Sequence, residues 1–350
     1  MVAWRTLALI WKNEFGAQWS RFGLTPEARH LPAQKNKSHL PIFSSCGRCP
    51  LSNFPTQLVM QHPDPALASQ IEKASTLVEA LPYLQRFRGH TFVIKFGGSA
   101  MEDPKLVELL LRDVVLLEVL GINPVIVHGG GKAISAAMAE AGLEAKFVKG
   151  LRVTDEAAIS IVEKTLSGVI NPSLVDSLKK FGGKAVGIPG DQVFIAEQRD
   201  PELGYVGNVV DFNIDVVEAI VRGESVPVLS PLGADAAGGA LPFNINADLA
   251  ASALAGKLKA SKLVYLSDVL GVMRDPSDPA SLFGSLNESE VDELIDQDVI
   301  SGGMIPKTRS SIEALRAGVD KVHMIDGRIA HSLLLEVFTD TGIGTEITLS

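Results

Sequence analysis

From residue 91 onward, short apolar runs alternate with helix-length segments whose apolar residues recur every three or four positions, and this alternation constrains the fold more than any other feature. The runs Thr91 to Phe96, Pro124 to His128, 184 to 188, Val226 to Ser230, Lys262 to Ser267 and Asp320 to Ile325 read as strands. Helices are expected at Pro104 to Leu120, Lys132 to Ala141, 155 to 167, 172 to 181, 214 to 222, Ala247 to Leu258, Ser289 to Ile295, Pro306 to Ala317 and 330 to 338. Strands without polar alternation, separated by helices, belong in a mainly parallel sheet covered on both faces. The expected fold is therefore α/β, a three-layer αβα sandwich, and 350 residues are enough for two lobes. One segment breaks the pattern: 193 to 212 carries two apolar runs about a polar turn and reads as a β-hairpin.

Residues 1–62 are of another kind, with seven Lys/Arg against two acidic residues, five prolines and no sustained periodicity. Three readings stay open for them: a transit peptide, a disordered tail, or sequence upstream of a start at Met60. Cys46 and Cys49, the only cysteines, form one C-x-x-C without a second pair, which reads as incidental thiols. Residues 63–89 contain a helical pattern from Leu67 to Leu84 that Pro82 should bend or end. Lying ahead of the first strand, it is a candidate oligomerisation element. The remainder divides into an N-lobe, 90–231, and a C-lobe, 232–350. A net charge of -9 argues against a nucleic-acid surface, and no run approaches the ~18 apolar residues of a membrane span.

Glycines punctuate the strand ends. Lys95-Phe96-Gly97-Gly98 and His128-Gly129-Gly130-Gly131 each close a strand, and 233 to 239 is a third glycine-rich stretch, expected to be a loop. Such turns let backbone N–H groups approach an anion closely. The spacing excludes a Walker loop, a G-x-G-x-x-G dinucleotide turn and a G-x-S-x-G nucleophile elbow. Lys95 stands among apolar strand neighbours, where an ammonium needs an anion, and Lys307 opens a helix, where the dipole repels it unless an anion lies between. Taken alone, Asn246 reads as a helix cap and Asp248 as a first-turn carboxylate.

Six ordered motifs carry a resemblance: Val93 to Gly98, Val125 to Gly131, Gly150-Leu151-Arg152-Val153-Thr154, Asn244 to Asp248, Leu266-Ser267-Asp268-Val269 and Gly302 to Lys307. Over about residues 65–350 the chain resembles the amino-acid kinase superfamily, most closely its N-acetyl-L-glutamate kinase branch. The resemblance implies transfer of the ATP γ-phosphoryl group to the side-chain carboxylate of N-acetyl-L-glutamate, in arginine synthesis. It implies Lys95, Lys307 and Asp248 as the catalytic set. Gly130, Gly131, Arg152 and Asn244 would hold the acceptor, and Gly97, Gly98, Ser267, Asp268, Gly303 and Met304 the phosphates and nucleotide. Mg²⁺ would ride on the nucleotide phosphates, with no metal ligands from the protein, and the 193 to 212 hairpin would form part of a lid.

The N-terminal helix and the tail from Asp326 to Thr345 resemble those of the arginine-inhibited hexameric branch. By that likeness Tyr83, His323, Glu336 and Gly342 would line an arginine pocket, with Glu336 as guanidinium partner; without it Glu336 reads as solvent-facing. A trimer of dimers and a PII-type signalling partner are implied, with a cytoplasmic location, or a plastid if the leader is a transit peptide. The competing readings are a sibling kinase acting on glutamate, aspartate, carbamate or UMP, and a non-catalytic arginine sensor, which should lack one of the paired lysines.

Overall fold

The computed structural model describes residues 65–350 apart from 149, 340, 341 and 350. The expectations for residues 1–62, the Cys46–Cys49 pair among them, lie outside the described residues. Two helices lead, α1 (Pro65–Glu79) and α2 (Leu81–Phe87), parted at Ala80 because Pro82 has no amide hydrogen and fits only the first turn of a new helix. There follow β1 (Thr91–Phe96), α3 (Pro104–Val119), β2 (Asn123–His128) and α4 (Gly131–Glu140). Next come the short strands β3 (Phe147–Val148) and β4 (Leu151–Arg152), α5 (Glu156–Thr165), one π-helical turn (Leu166–Ile170) and α6 (Asn171–Lys180). The chain continues through β5 (Ala185–Ile188), β6 (Phe194–Gln198), β7 (Gly207–Phe212), α7 (Ile214–Arg222), β8 (Val226–Leu229), β9 (Leu232–Asp235) and β10 (Phe243–Asn244). It closes with α8 (Ala247–Leu258), β11 (Lys262–Ser267), β12 (Ser285–Asn287), α9 (Glu288–Asp296), α10 (Met304–Arg316), β13 (Lys321–Asp326), α11 (Ser332–Val337) and β14 (Thr345–Thr348).

Each strand and helix expected from residue 91 onward forms within two residues of its expected ends. The main sheet runs β12-β14-β13-β11-β1-β2-β8-β5, parallel from β13 to β5, with β14 antiparallel to β13. Strand alternation sends Phe92, Ile94 and Phe96 into a core under α3–α6 and α11, and Val93 and Tyr265 into a second core under α7–α10. The expected hairpin β6–β7 also forms, joined by β9 and β10 in a four-stranded sheet. Here the structure corrects the sequence reading. Gly233 lies in strand β9, where a Cβ would come within 2.7 Å of Ala196, so close sheet packing explains it; Asp235 caps the turn that follows.

From β1 the sheet extends one way through β2, β8 and β5, which the chain completes before it crosses to the other side of β1 with β11 and β13. The order reverses at β1. In open parallel sheets ligands gather beyond the strand ends at such a reversal, and the glycine turns at 97–98 and 129–131 stand there. Among the described residues no helix is long and apolar enough to cross a membrane.

Gly190 follows β5 under the link between the two sheets. An added Cβ would lie 1.9 Å from the Ser230 carbonyl oxygen and 2.5 Å from that of Leu232, backbone atoms that cannot swing aside. Gly190→Ala should lower the unfolding free energy by about 2 kcal/mol or more in urea denaturation; a loss below about 0.5 kcal/mol would contradict this packing.

Candidate active site

Alternation along β1 puts Lys95 on the same face of the sheet as Val93, toward α8. Helix α8 starts at a true cap, the Asn246 side chain accepting from the N–H groups of Asp248 and Leu249 at 2.9 and 3.3 Å, so Asp248 occupies the first turn. The facing helix α10 packs closely because α8 is rich in small residues: a Cβ on Gly256 would meet Ala317 at 2.6 Å. Ser252 Oγ donates to the Ser310 carbonyl at 2.6 Å and ties the two helices together. This packing brings Lys307, near the start of α10, to Asp248.

One carboxylate therefore holds two ammonium groups. Lys95 Nζ is 2.9 Å from Asp248 Oδ1, and Lys307 Nζ donates to Oδ2 at 2.5 Å. Burial alone would raise the Asp248 pKa, but the two lysines outweigh it and hold the carboxyl at about 2. Tyr265 packs beneath, its hydroxyl 3.1 Å from Ser310 Oγ and its ring 5.9 Å from Lys307 Nζ.

Beside this triad lies a cavity of about 590 Å³ lined by Lys95, Gly98, Gly129–Gly131, Arg152, Asn244 and Asp268, among others. Arg152 is buried, and desolvation draws its pKa below the ordinary guanidinium value. It donates to the Gly131 carbonyl and to Ser135 Oγ, each at 2.8 Å, and stacks on Phe147 at 4.8 Å. Asn244 reaches Thr154 Oγ1 at 3.3 Å. Glycine is required at 130 by space, because a Cβ would lie 2.6 Å from Ile170 and 2.7 Å from Leu166. Gly97 leaves room for the Lys95 side chain, whose Nζ would be 2.8 Å from an added Cβ.

Not every expected residue faces this space. Ser267 turns its hydroxyl to the carbonyls of Val269 and Ile325, and Gly303 and Met304 lead into α10 outside the cavity lining. The 193–212 hairpin reaches the cavity only through Val206. Part of the cavity wall comes from β3–β4, two strands too short to show a period, whose Phe147 pairs directly with Arg152. Among the described residues no group of three or more His, Cys, Asp or Glu side chains converges to hold a metal ion.

A second charged cluster lies on the sheet's other face. His323 Nδ1 donates to Glu336 Oε1 at 2.6 Å, and Glu336 Oε2 accepts from the N–H groups of Ile343 and Gly344 at 2.7 and 3.1 Å. Glu336 is 6 % exposed, which overturns its reading as solvent-facing. Gly342, at φ +61°, leaves space for that carboxylate, and Tyr83 packs edge-on against Phe338 at 6.4 Å. Sequence reading missed Lys262, whose Nζ lies 2.8 Å from His323 Nε2 and whose pKa burial pulls to about 8. Burial lowers the His323 pKa too, so the neutral ring takes the ammonium's hydrogen bond at Nε2 and gives its own from Nδ1.

A model described as the amino acid kinase family matches residues 90–326. An acetylglutamate kinase of Akkermansia muciniphila is 58% identical over 292 residues, covering 81% of this chain and 98% of that protein. One from Methanocaldococcus jannaschii is 47% identical over 296 residues, with the same coverage. Among solved structures, N-acetylglutamate synthase from Neisseria gonorrhoeae superposes with a TM-score of 0.70 and 26% identity in its complex with coenzyme A and N-acetyl-glutamate. That match covers 79% of this chain and 63% of the synthase; the complex with coenzyme A and L-arginine gives a TM-score of 0.68, 25% identity, and 79% and 65% coverage. Carbamate kinase from Giardia lamblia bound to AMP-PNP shares the fold, at a TM-score of 0.57 and 19% identity over 75% of this chain and 99% of that one.

Because the folded-state pKa of Asp248 lies below the ordinary 3.8, its stabilisation is complete above about pH 4 and is lost as pH falls toward 2. Between pH 5 and pH 3 the unfolding free energy should fall by about 1 kcal/mol less in Asp248→Asn than in the parent chain. Equal losses in urea titrations at the two pH values would contradict the shared ion pair.

Proposed function

The chain belongs to the amino acid kinase family, and within it to the acetylglutamate kinases, and on that premise we propose that it transfers the γ-phosphoryl group of ATP to the side-chain carboxylate of N-acetyl-L-glutamate, in arginine biosynthesis. The observation that carries this reading is the convergence of Lys95, from β1 and lining the cavity, and Lys307, from α10, on the one carboxylate of Asp248.

The acceptor carboxyl, with an ordinary pKa of about 4.3, is ionised at neutral pH, so no general base is needed. A carboxylate oxygen attacks the γ-phosphorus, the bond to the β-phosphate oxygen breaks, and N-acetyl-L-glutamyl 5-phosphate and ADP leave. What the protein must supply is alignment and positive charge around the moving group. Lys95 and Lys307 supply the charge, and Asp248 keeps the two ammonium groups together against their mutual repulsion. The Gly98 and Gly130 N–H groups, at turns bordering the cavity, take phosphoryl oxygens. Arg152 and Asn244 hold the acceptor. Both hydrogens on Arg152 Nη2 are taken by Gly131 and Ser135, so a bidentate grip on its α-carboxylate displaces one of these contacts. Asp268 borders the nucleotide side of the cavity. Mg²⁺, carried by the nucleotide phosphates, would screen their charge.

Arginine feedback acts through the Lys262–His323–Glu336 cluster in this reading. It is supported by the likeness to a synthase solved with L-arginine and by the shared strand β11, which carries Lys262 at one end and leads into Asp268 at the other. Helix α1 presents Leu67, Ile71, Leu77 and Val78 to solvent, all at least half exposed, as an element that joins dimers into a hexamer.

Release of ADP, followed by a coupled assay, should require N-acetyl-L-glutamate and be slow with glutamate, aspartate or carbamate; preference for one of these acceptors would refute the substrate. Lys95→Ala and Lys307→Ala should each cut turnover about a hundredfold or more while substrate affinity changes far less. Arginine should inhibit with a sigmoidal response, and removal of residues 60–84 should convert hexamers to dimers in light scattering. A hexamer that survives the truncation would refute the role of α1.

A further inference from the structure

We infer that His128 and Asn171 are positioning residues: through one fixed imidazole tautomer they hold the Gly129 carbonyl back and so aim the Gly130 N–H into the cavity. The inference rests on the phosphoryl-transfer reading above, because the N–H it places is one assigned to the moving group.

The chain of contacts begins at the π-helical turn. Asn171, directly after it, is buried, and its Nδ2 lies 2.8 Å from the Val228 carbonyl oxygen and 3.2 Å from His128 Nε2. A carbonyl can only accept, so Val228 fixes which end of the carboxamide faces it. The second hydrogen on Nδ2 then points to His128 Nε2, which must accept. The ring proton is left on Nδ1, and Nδ1 donates to the Gly129 carbonyl at 2.9 Å. Burial pulls the His128 pKa to about 4, so the ring is neutral at the pH of an assay.

Gly129 is held from its other side as well, its N–H donating to the Phe96 carbonyl at 2.7 Å. No described peptide bond is cis. In a trans peptide the carbonyl of one residue and the N–H of the next point in opposite directions. Drawing the Gly129 carbonyl toward His128 therefore turns the Gly130 N–H the other way. Gly130 caps α4, so its N–H has no acceptor within that helix and is left for a ligand. The π turn borders the arrangement: Leu166 and Ile170 stand beside Gly130, where an added Cβ would lie 2.7 and 2.6 Å from them, and Ser167 Oγ meets Ser230 Oγ at 2.8 Å, tying the π turn to the end of β8. A widened turn at this point brings Asn171 under the strand and the two apolar side chains over the glycine.

Two measurements test this. Two-bond ¹H–¹⁵N correlation spectra of the full-length protein at pH 7.5, assigned by comparison with His128→Leu, should show His128 with a protonated, pyrrole-like Nδ1 and a pyridine-like Nε2. In kinetics, His128→Leu should lose about tenfold to hundredfold in kcat while KM for ATP and for N-acetyl-L-glutamate stays within about threefold. His128→Asn, whose Nδ2 stands where the imidazole Nδ1 stood, should recover most of that loss. A proton on Nε2 or on both nitrogens overturns the inference without reference to any variant. So does a His128→Leu protein within about twofold of parental turnover, or an Asn variant no better than Leu. A parent protein that phosphorylates no carboxylate would remove the phosphoryl-transfer reading and the role built on it, while leaving the tautomer result standing; the two failures are thus distinguishable.

Discussion

Two ammonium groups can be brought to one phosphate only if something negative holds them while the phosphate is absent. The Asp248 carboxylate does this, 2.9 Å from one lysine and 2.5 Å from the other. Coulomb repulsion between unit charges a few ångströms apart costs several kcal/mol in a partly buried site, and a shared counter-ion cancels it. The geometry of the triad is a product of the whole fold. Pleating sets the face of Lys95, capping by Asn246 sets the depth of Asp248, and small residues on α8 set the approach of Lys307. An error in any one of these elements would leave a buried charge unpaired, which is why such a site stands at the sheet's order reversal and not on a free loop.

The same economy appears at the glycine turns. Gly97 gives up a side chain so that Lys95 can pass, Gly129 lies against Gly97, and Gly130 yields its volume to Leu166 and Ile170. What remains exposed to the cavity is backbone, whose N–H groups are fixed dipoles that need no reorganisation when charge arrives. On the other face, Lys262, His323 and Glu336 form a chain of hydrogen bonds in which every buried polar atom named here has a partner. Strand β11 touches both regions, with Lys262 at its start and Ser267 at its end, next to Asp268.

Much of this was legible beforehand because it is written in local chemistry. A lysine inside an apolar strand and another at a helix start are both costly unless an anion lies near, and that cost is visible without coordinates. The failures have equally physical reasons. Gly233 looked like a loop glycine, since a glycine that serves close strand packing and one that serves a turn are identical in one dimension. The strands β3 and β4 beside Arg152 went unread, because two-residue strands show no period. Lys262 and Asn171 carried no motif at all; their partners lie 61 and 43 residues away.

By itself the sequence determined the layer architecture, the strand order's raw material and the identities of the charged and glycine residues, because periodicity and desolvation cost act on a residue and its immediate neighbours. Only the tertiary structure decided how closely the two lysines meet the carboxylate the resemblance had named, which tautomer His128 holds and that Phe147 stacks on Arg152. Those outcomes depend on distances between segments far apart in the chain, and a hydrogen bond or ion pair is sensitive to fractions of an ångström that no local pattern encodes.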